Sequence, residues 1–434
     1  MSRNRNSGRF LSSAAQRGFA RGRVAPVAVR QPQAVHAAAR VVRKRARGLV
    51  AIQVAVTLTV LIGAAALTVD VAHIYTARGE LQRAADSAAL AGTSAYLTDA
   101  GLLYASNQAA WSPTGPLATM IDERAQSYSL MNHTLGAVTH LPGDDIVKGF
   151  YDFAHPELPL SFTSSLTQHY NAVQVTTRRQ PNTPNGPVPY FFAFIFGTTQ
   201  GSVTARATAA MDDHFTGYDV SDGPGVVVPF SICQQEYDTQ FASGLDQWRY
   251  IPESDSVLPG SDGVHEVRLY PYGQGNLTSA CGSNAGNFGT LNIGIPNQGT
   301  TGLYDQILNG VSSADLISEV GTDNLVFNNA QGAPITYEMS GNPGLSSGLS
   351  PAVEARIGDV VGFFLHSGAT LQGSNVIYTI VGMRFGRVMH IDLTGSPNNK
   401  RLVIQPVPFT GPGVETNPSA PSTNGQVGVF SLVR

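Results

Sequence analysis

The chain has 434 residues, 42% of them hydrophobic, which is enough for two or three domains with a sizeable core. Its 46 glycines and 26 prolines stay below the level of a disordered chain and suit turn-rich β structure. The net charge of −3 conceals an asymmetry. Residues 1–47 hold 12 Lys and Arg and no acid, so the remainder sets 15 bases against all 30 acids, a balance that disfavours nucleic acid or anionic lipid as its partner.

Residues 1–47 carry no apolar periodicity and only Phe10 and Phe19 as aromatics. They predict a basic, disordered cytoplasmic tail lying against an anionic leaflet, not a nucleic-acid arm. Gly48–Val69 (GLVAIQVAVTLTVLIGAAALTV) then runs 22 residues without a charge. As a helix it is about 33 Å long, sufficient for a bilayer core of roughly 30 Å. Arg40, Arg43, Lys44, Arg45 and Arg47 precede it, and Asp70 after it is the first acid of the chain. Arg47, Gly48 and Asp70 therefore mark the membrane boundaries of a single span with the N-terminus inside. Ala51, Ala55, Thr59 and Gly63 recur every four residues, a small-residue face on which another membrane helix can pack. Gln53 and Thr57, one turn apart, offer hydrogen bonds to the same partner.

The helical pattern continues beyond the span to about residue 96 through Ile74, Leu81, Ala84, Ala85, Ala88 and Ala91, with Glu80 and Arg83 as an i,i+3 pair. A second helix is predicted at Leu117–Met131. Strands are predicted at Asp144–Phe153 and Ala172–Arg178, followed by a loop at Pro181–Pro189. Val188–Phe196 (VPYFFAFIF) is an apolar segment expected to be buried, and Ser202–Ala210 alternates as an edge strand would. Residues 97–211 thus form a small α+β domain on the outer half of the long helix. Residues 223–434 form a mainly β domain, barrel or sandwich. Its strands include Val226–Ile232, Val360–His366, Asn375–Val381, Arg387–Leu393 and Leu402–Phe409, with a returning strand at Val427–Val433. The fold class is α+β, led by one transmembrane helix. The two cysteines, Cys233 and Cys281, both lie on the outer side, where an oxidising compartment permits a disulfide.

One string carries a family likeness. Arg47-Gly48, the apolar span, Val69-Asp70-Val71, and Leu81-Gln82-x-Ala84-Ala85-Asp86-Ser87-Ala88-Ala89-Leu90-Ala91-Gly92 resemble the N-terminal region of TadG-like proteins. These are membrane-anchored components of tight-adherence (Flp) pilus assembly systems. Phe191–Ala209 resembles the end of that family's first outer region. The resemblance implies the bacterial inner membrane, periplasmic or extracellular outer domains, and other envelope components of a pilus machine as partners. Many members carry a von Willebrand A-type domain next, with an Asp-x-Ser-x-Ser metal motif. Here Asp219-Val-Ser221-Asp-Gly223 lacks the second serine, so 223–434 departs from that pattern.

The chemical motifs are weak. Gly344-Leu345-Ser346-Ser347-Gly348 matches a nucleophile elbow but sits in loop-forming sequence. Asp212, Asp213 and His214 have the oxygen and nitrogen of a metal site without a recognised spacing, and read better as a solvated linker. Asn132-His-Thr134 and Asn276-Leu-Thr278 match the glycosylation sequon. No cofactor, metal or small-molecule substrate is expected. The resulting expectation is a non-enzymatic, membrane-anchored scaffold of pilus assembly. The alternatives are an extracytoplasmic ligand-binding or adhesion protein, or a prepilin-like subunit cut after Gly48, although Gln53 stands where prepilins carry glutamate.

Overall fold

The computed structural model describes residues 38–164, 168–269, 281, 288–294, 299–343, 346–372, 375–394 and 401–433. The chain divides into two compact units, Met1–Ala66 and Leu67–Arg434. The described part of the first unit is helical. It belongs to helix α1, Ala38–Thr93, which begins inside the stretch expected to be an unstructured tail. Residues 1–37 of that tail lie outside the described residues. No proline interrupts α1, and Thr57 and Thr59 return their hydroxyls to the carbonyls of Gln53 and Ala55 at 2.8 and 2.9 Å. The Ala51, Ala55 and Thr59 side chains are exposed, and nothing lies within 4 Å of a Cβ placed on Gly63.

In the second unit the chain runs from α1 through helix α2 (Pro116–Leu130) to strands β1 (Ile146–Gly149), β2 (Ala172–Arg179), β3 (Val188–Pro189), β4 (Gln200–Gly201), β5 (Val203–Asp212) and β6 (Phe215–Asp219). Strand β7 (Val227–Cys233), helix α3 (Gln234–Ser243), strands β8 (Val267–Leu269) and β9 (Phe288–Leu291) and helix α4 (Thr300–Asn309) follow. Then come β10 (Asn324–Val326), β11 (Tyr337–Pro343), helix α5 (Ser350–Glu354), β12 (Val360–Gln372), β13 (Asn375–Asp392), β14 (Arg401–Pro406), β15 (Val414–Thr416) and β16 (Val429–Val433).

The first sheet is antiparallel, in the order β16-β5-β2-β1. Val173 and Val175 on β2, and Ala207 and Ala209 on β5, share one face because side chains alternate along a strand. Onto that face pack Ala85, Ala88 and Ala89 of α1 with Ile121 and Ala125 of α2. Alanine lets the helix backbone come close. Thr177 therefore donates its hydroxyl to the Leu81 carbonyl at 2.9 Å, and Thr93 donates to the Ala209 carbonyl at 3.1 Å. Two expectations change here. Glu80 accepts the Leu135 N–H at 2.7 Å and is not paired with Arg83. Strand β5 is not an edge, because β16 returns from the far end of the chain to cover it. Its alternation reports one solvent-facing side of the sheet, where Thr204 and Arg206 lie, and says nothing about a free edge.

The second sheet runs β8-β14-β13-β11-β9-β7-β12, and an added β12–β13 pairing closes β13, β11, β9, β7 and β12 into a ring of five strands. Of the two expected architectures, this is the barrel. All its pairings are antiparallel except β7–β12. Pro229 within β7 has no N–H to donate, and the β7–β12 register steps on either side of it, between Val227 and Ser231. Strand β13 is a single 18-residue strand where two were expected. Gly386 is no break: a Cβ there would lie 2.4 Å from Ile404 Cγ2, so the glycine permits a close strand approach.

Both faces of the ring strands are buried. One packs Phe230, Ile232, Phe363 and Leu365 under Tyr237 and Phe241 of α3 and Ile307 of α4, with Leu102 inserted from the segment after α1. The other packs Phe364, Tyr378 and Phe385 under Tyr218 and Leu325 of a small sheet ordered β10-β6-β15. The expected division into 97–211 and 223–434 is thus crossed twice, by Leu102 going forward and by β16 coming back. Cys233 at the end of β7 is bonded to Cys281, with their Cα atoms 5.7 Å apart.

Candidate interaction site at the end of the apolar run

Asp70 is the residue at which the charge-free run ends, and it is 2% exposed. Its carboxylate is occupied by backbone donors far away in sequence. Oδ1 accepts the Phe191 N–H at 2.7 Å and the Phe192 N–H at 3.3 Å. Oδ2 accepts the Phe192 N–H at 3.0 Å and the Ala193 N–H at 2.6 Å. Three successive amides converging on one carboxylate form charge-assisted bonds that fix the start of the short turn Ala193–Phe196. Gly197 closes that turn with φ +80°, a left-handed conformation that glycine adopts without strain.

The turn is the tip of a finger. Its base is the β3–β4 ladder, and Val188 is buried there with Ala77 and Leu81 of α1 and with Val203 and Ala205. Asp70 lies seven residues before Ala77, roughly 10 Å along the helix, so the finger runs back along α1 towards the apolar run. The His73 ring packs at a tilt against Phe191, with ring centroids 4.8 Å apart. The segment expected to be buried is in fact exposed at its tip. Phe194 is 59%, Ile195 67% and Phe196 75% accessible. The apolar run of nine residues led to that expectation, since nothing local tells a core strand from a loop that presents its side chains outward. The bond to Asp70, 121 residues away, is what turns the segment into a finger.

The other candidate groups come together less productively. Asp212 and His214 pair, Nδ1 to Oδ1 at 2.6 Å, and this bond to Asp212 raises the His214 pKa against the opposing effect of burial. Asp213 turns away and accepts the Ser422 hydroxyl at 2.6 Å and the Gly425 N–H at 2.9 Å. The cluster therefore latches the loop that leads into β16. A cleft of about 400 Å³ opens beside it, lined by Tyr96, His169, Tyr170 and Asn424 among others. Burial lowers the His169 pKa, and its Nε2 lies 3.0 Å from Asn107 Oδ1.

The exposed Ser346 hydroxyl accepts the Gly348 N–H at 3.4 Å and has no histidine or carboxylate partner among the described residues. The Asn132 amide donates to Ser87 Oγ and to the Tyr128 carbonyl, both at 2.8 Å, while Thr134 is buried. Asn276-Leu-Thr278 lies outside the described residues. Cys233, Cys281 and His366 cluster in the ring core, but the two sulfurs are consumed by their own bond. Arg47 and Gly48 lie within α1.

The segment from within the apolar run to the end of the first sheet, residues 63–209, matches the family model described as Tad-like Flp pilus-assembly. Over this stretch the chain is similar to that family. No curated protein and no solved structure matches the chain. The Tad-like segment contains Asp70, the finger, α2 and strands β1, β2 and most of β5, so the match covers the helix-bound sheet and stops short of the ring.

Proposed function

We propose that the chain is a single-pass, membrane-anchored, non-enzymatic scaffold of Tad/Flp pilus assembly, with the N-terminus in the cytoplasm of a bacterial cell and the β-rich part outside the inner membrane. The observation that carries this reading is the continuity of α1. The one described helix long and apolar enough to cross a membrane passes without interruption into the Tad-like fold built around its outer half. A buried helix of a soluble domain would have its apolar face covered, whereas Val50–Ile62 is exposed throughout. The basic residues before Gly48 and the acidic balance after Asp70 set the orientation.

The action of such a protein is contact. Its partners are other membrane or envelope components of the pilus machine, met by the Ala51/Ala55/Thr59/Gly63 face, whose small side chains allow close helix packing. Protease added to right-side-out spheroplasts should digest residues beyond about 97, and protection of the ring would overturn the topology. Replacing Ala55 and Gly63 together by Leu should leave insertion intact, because Leu inserts well, and should impair pilus assembly. Normal piliation after complete deletion would remove the pilus role itself.

A further inference from the structure

We infer that the finger Phe191–Phe196 is a second membrane contact, an apolar tip that enters the interfacial layer of the outer leaflet beside the point where α1 emerges. The inference rests on the single-span topology proposed above.

Three observations carry it. The tip is held by Asp70, the residue that ends the charge-free run, so the start of the tip lies against the end of that run. The finger contains no Asp, Glu, Lys or Arg from Val188 to Gly201, while its tip exposes Phe194, Ile195 and Phe196. Aromatic side chains at this depth are the composition that headgroup regions favour.

The third observation is the backbone. A loop entering a layer poor in water must satisfy its amides internally. Here the N–H groups of Phe191, Phe192 and Ala193 bond to Asp70. Those of Tyr190, Ile195, Gly197 and Thr198 bond to the carbonyls of Thr199, Phe192, Phe194 and Ala193. Asp70 is then a latch that removes three backbone donors from solvent and aims the tip. Lipid is favoured over a protein occupant because the tip is bonded to the residue that ends a run whose own length fits a bilayer, and the finger itself carries no charged residue.

The test uses the full chain in proteoliposomes, labelled with an environment-sensitive fluorophore on single introduced cysteines; the native pair is bonded and does not react. Three sites are compared: Ile195→Cys at the tip, Leu58→Cys in the span, and Leu258→Cys on an exposed strand. Quenchers are aqueous iodide and lipids carrying a nitroxide near the headgroup or deep in the chain. The tip should be quenched several-fold more strongly by the shallow nitroxide than by iodide. Position 58 should respond to the deep nitroxide and position 258 to iodide alone. Adding Asp70→Asn should move the tip towards iodide and leave position 58 unchanged. Iodide quenching at 195 with lipid quenching at 58 overturns the finger and leaves the anchor standing. Iodide quenching at both sites overturns the anchor. A tip shielded from every quencher is covered by protein, which also overturns the inference, and an unaltered tip in Asp70→Asn removes the latch.

Discussion

The helix-bound sheet and the closed ring are built from opposite materials. Where α1 meets its sheet, the interface is alanine on alanine and valine, with Ala85, Ala88 and Ala89 against Val173, Val175, Ala207 and Ala209. The ring is filled by Phe230, Phe288, Phe363, Phe364, Tyr378 and Phe385. An alanine contact contributes little area per residue and depends on closeness, which the Thr177 and Thr93 bonds across it exploit. An aromatic core contributes area and tolerates no loss of volume. The first should therefore resist truncation and fail on enlargement, and the second should do the reverse.

The largest effect is expected in the ring. Phe363→Ala removes a fully buried ring and should lower unfolding free energy by about 3–5 kcal/mol in urea titration. A loss below about 1 kcal/mol would mean the ring core is loosely packed. Next comes the Cys233–Cys281 bond, which closes a 48-residue separation. Replacing both cysteines by Ser should cost about 4 kcal/mol in the chain-entropy view, read from the same titration.

Acid should then act on the ring through His366. Burial pushes its pKa down from 6.5 to about 4, and its Nδ1 lies 2.8 Å from Ser231 Oγ. Because the folded value is the lower one, the unfolded chain binds the proton first. The stability this group preserves is whole above pH 6.5 and is lost as pH falls towards 4, by about 3 kcal/mol at most. His366→Phe should flatten that part of the pH–stability curve, and an unchanged slope would assign the acid sensitivity elsewhere. His214 works in the opposite sense. Its pKa is raised by Asp212, so its contribution is present below the unfolded value and is lost as pH rises through the folded one.

The smallest of the four effects belongs to the helix contact. Ala88→Leu should cost about 1–3 kcal/mol by overpacking, and hydrogen exchange should be faster in β2 and β5 than in the ring. Equal acceleration in both would show that the two cores unfold as one.

The charge-free apolar run, its basic and acidic flanks, the long helix beyond it and the Tad likeness are legible from residues alone, because each depends on local composition or on a spacing of three to four residues. The strands Ala172–Arg179, Val203–Asp212 and Val227–Cys233 are legible for the same reason: side-chain alternation and β-branching act over a few residues. Pairing partners are not. The fourth strand of the Tad-like sheet arrives from Val429–Val433, outside the matched segment, and Leu102 fills the ring core from the opposite direction. Asn375–Val381 and Arg387–Leu393 read as two strands and belong to one, in which the glycine at 386 makes room for the neighbour Ile404.

The candidate site divides along the same line. Asp70 is marked by sequence as the end of the charge-free run, and Val188–Phe196 as an apolar segment. Only the tertiary structure decided that the first holds the amides of the second and that the apolar tip faces outward. Whether an apolar side chain is core or surface depends on what the rest of the chain places over it. A carboxylate and three amides separated by about 120 residues leave no periodic trace of their bond.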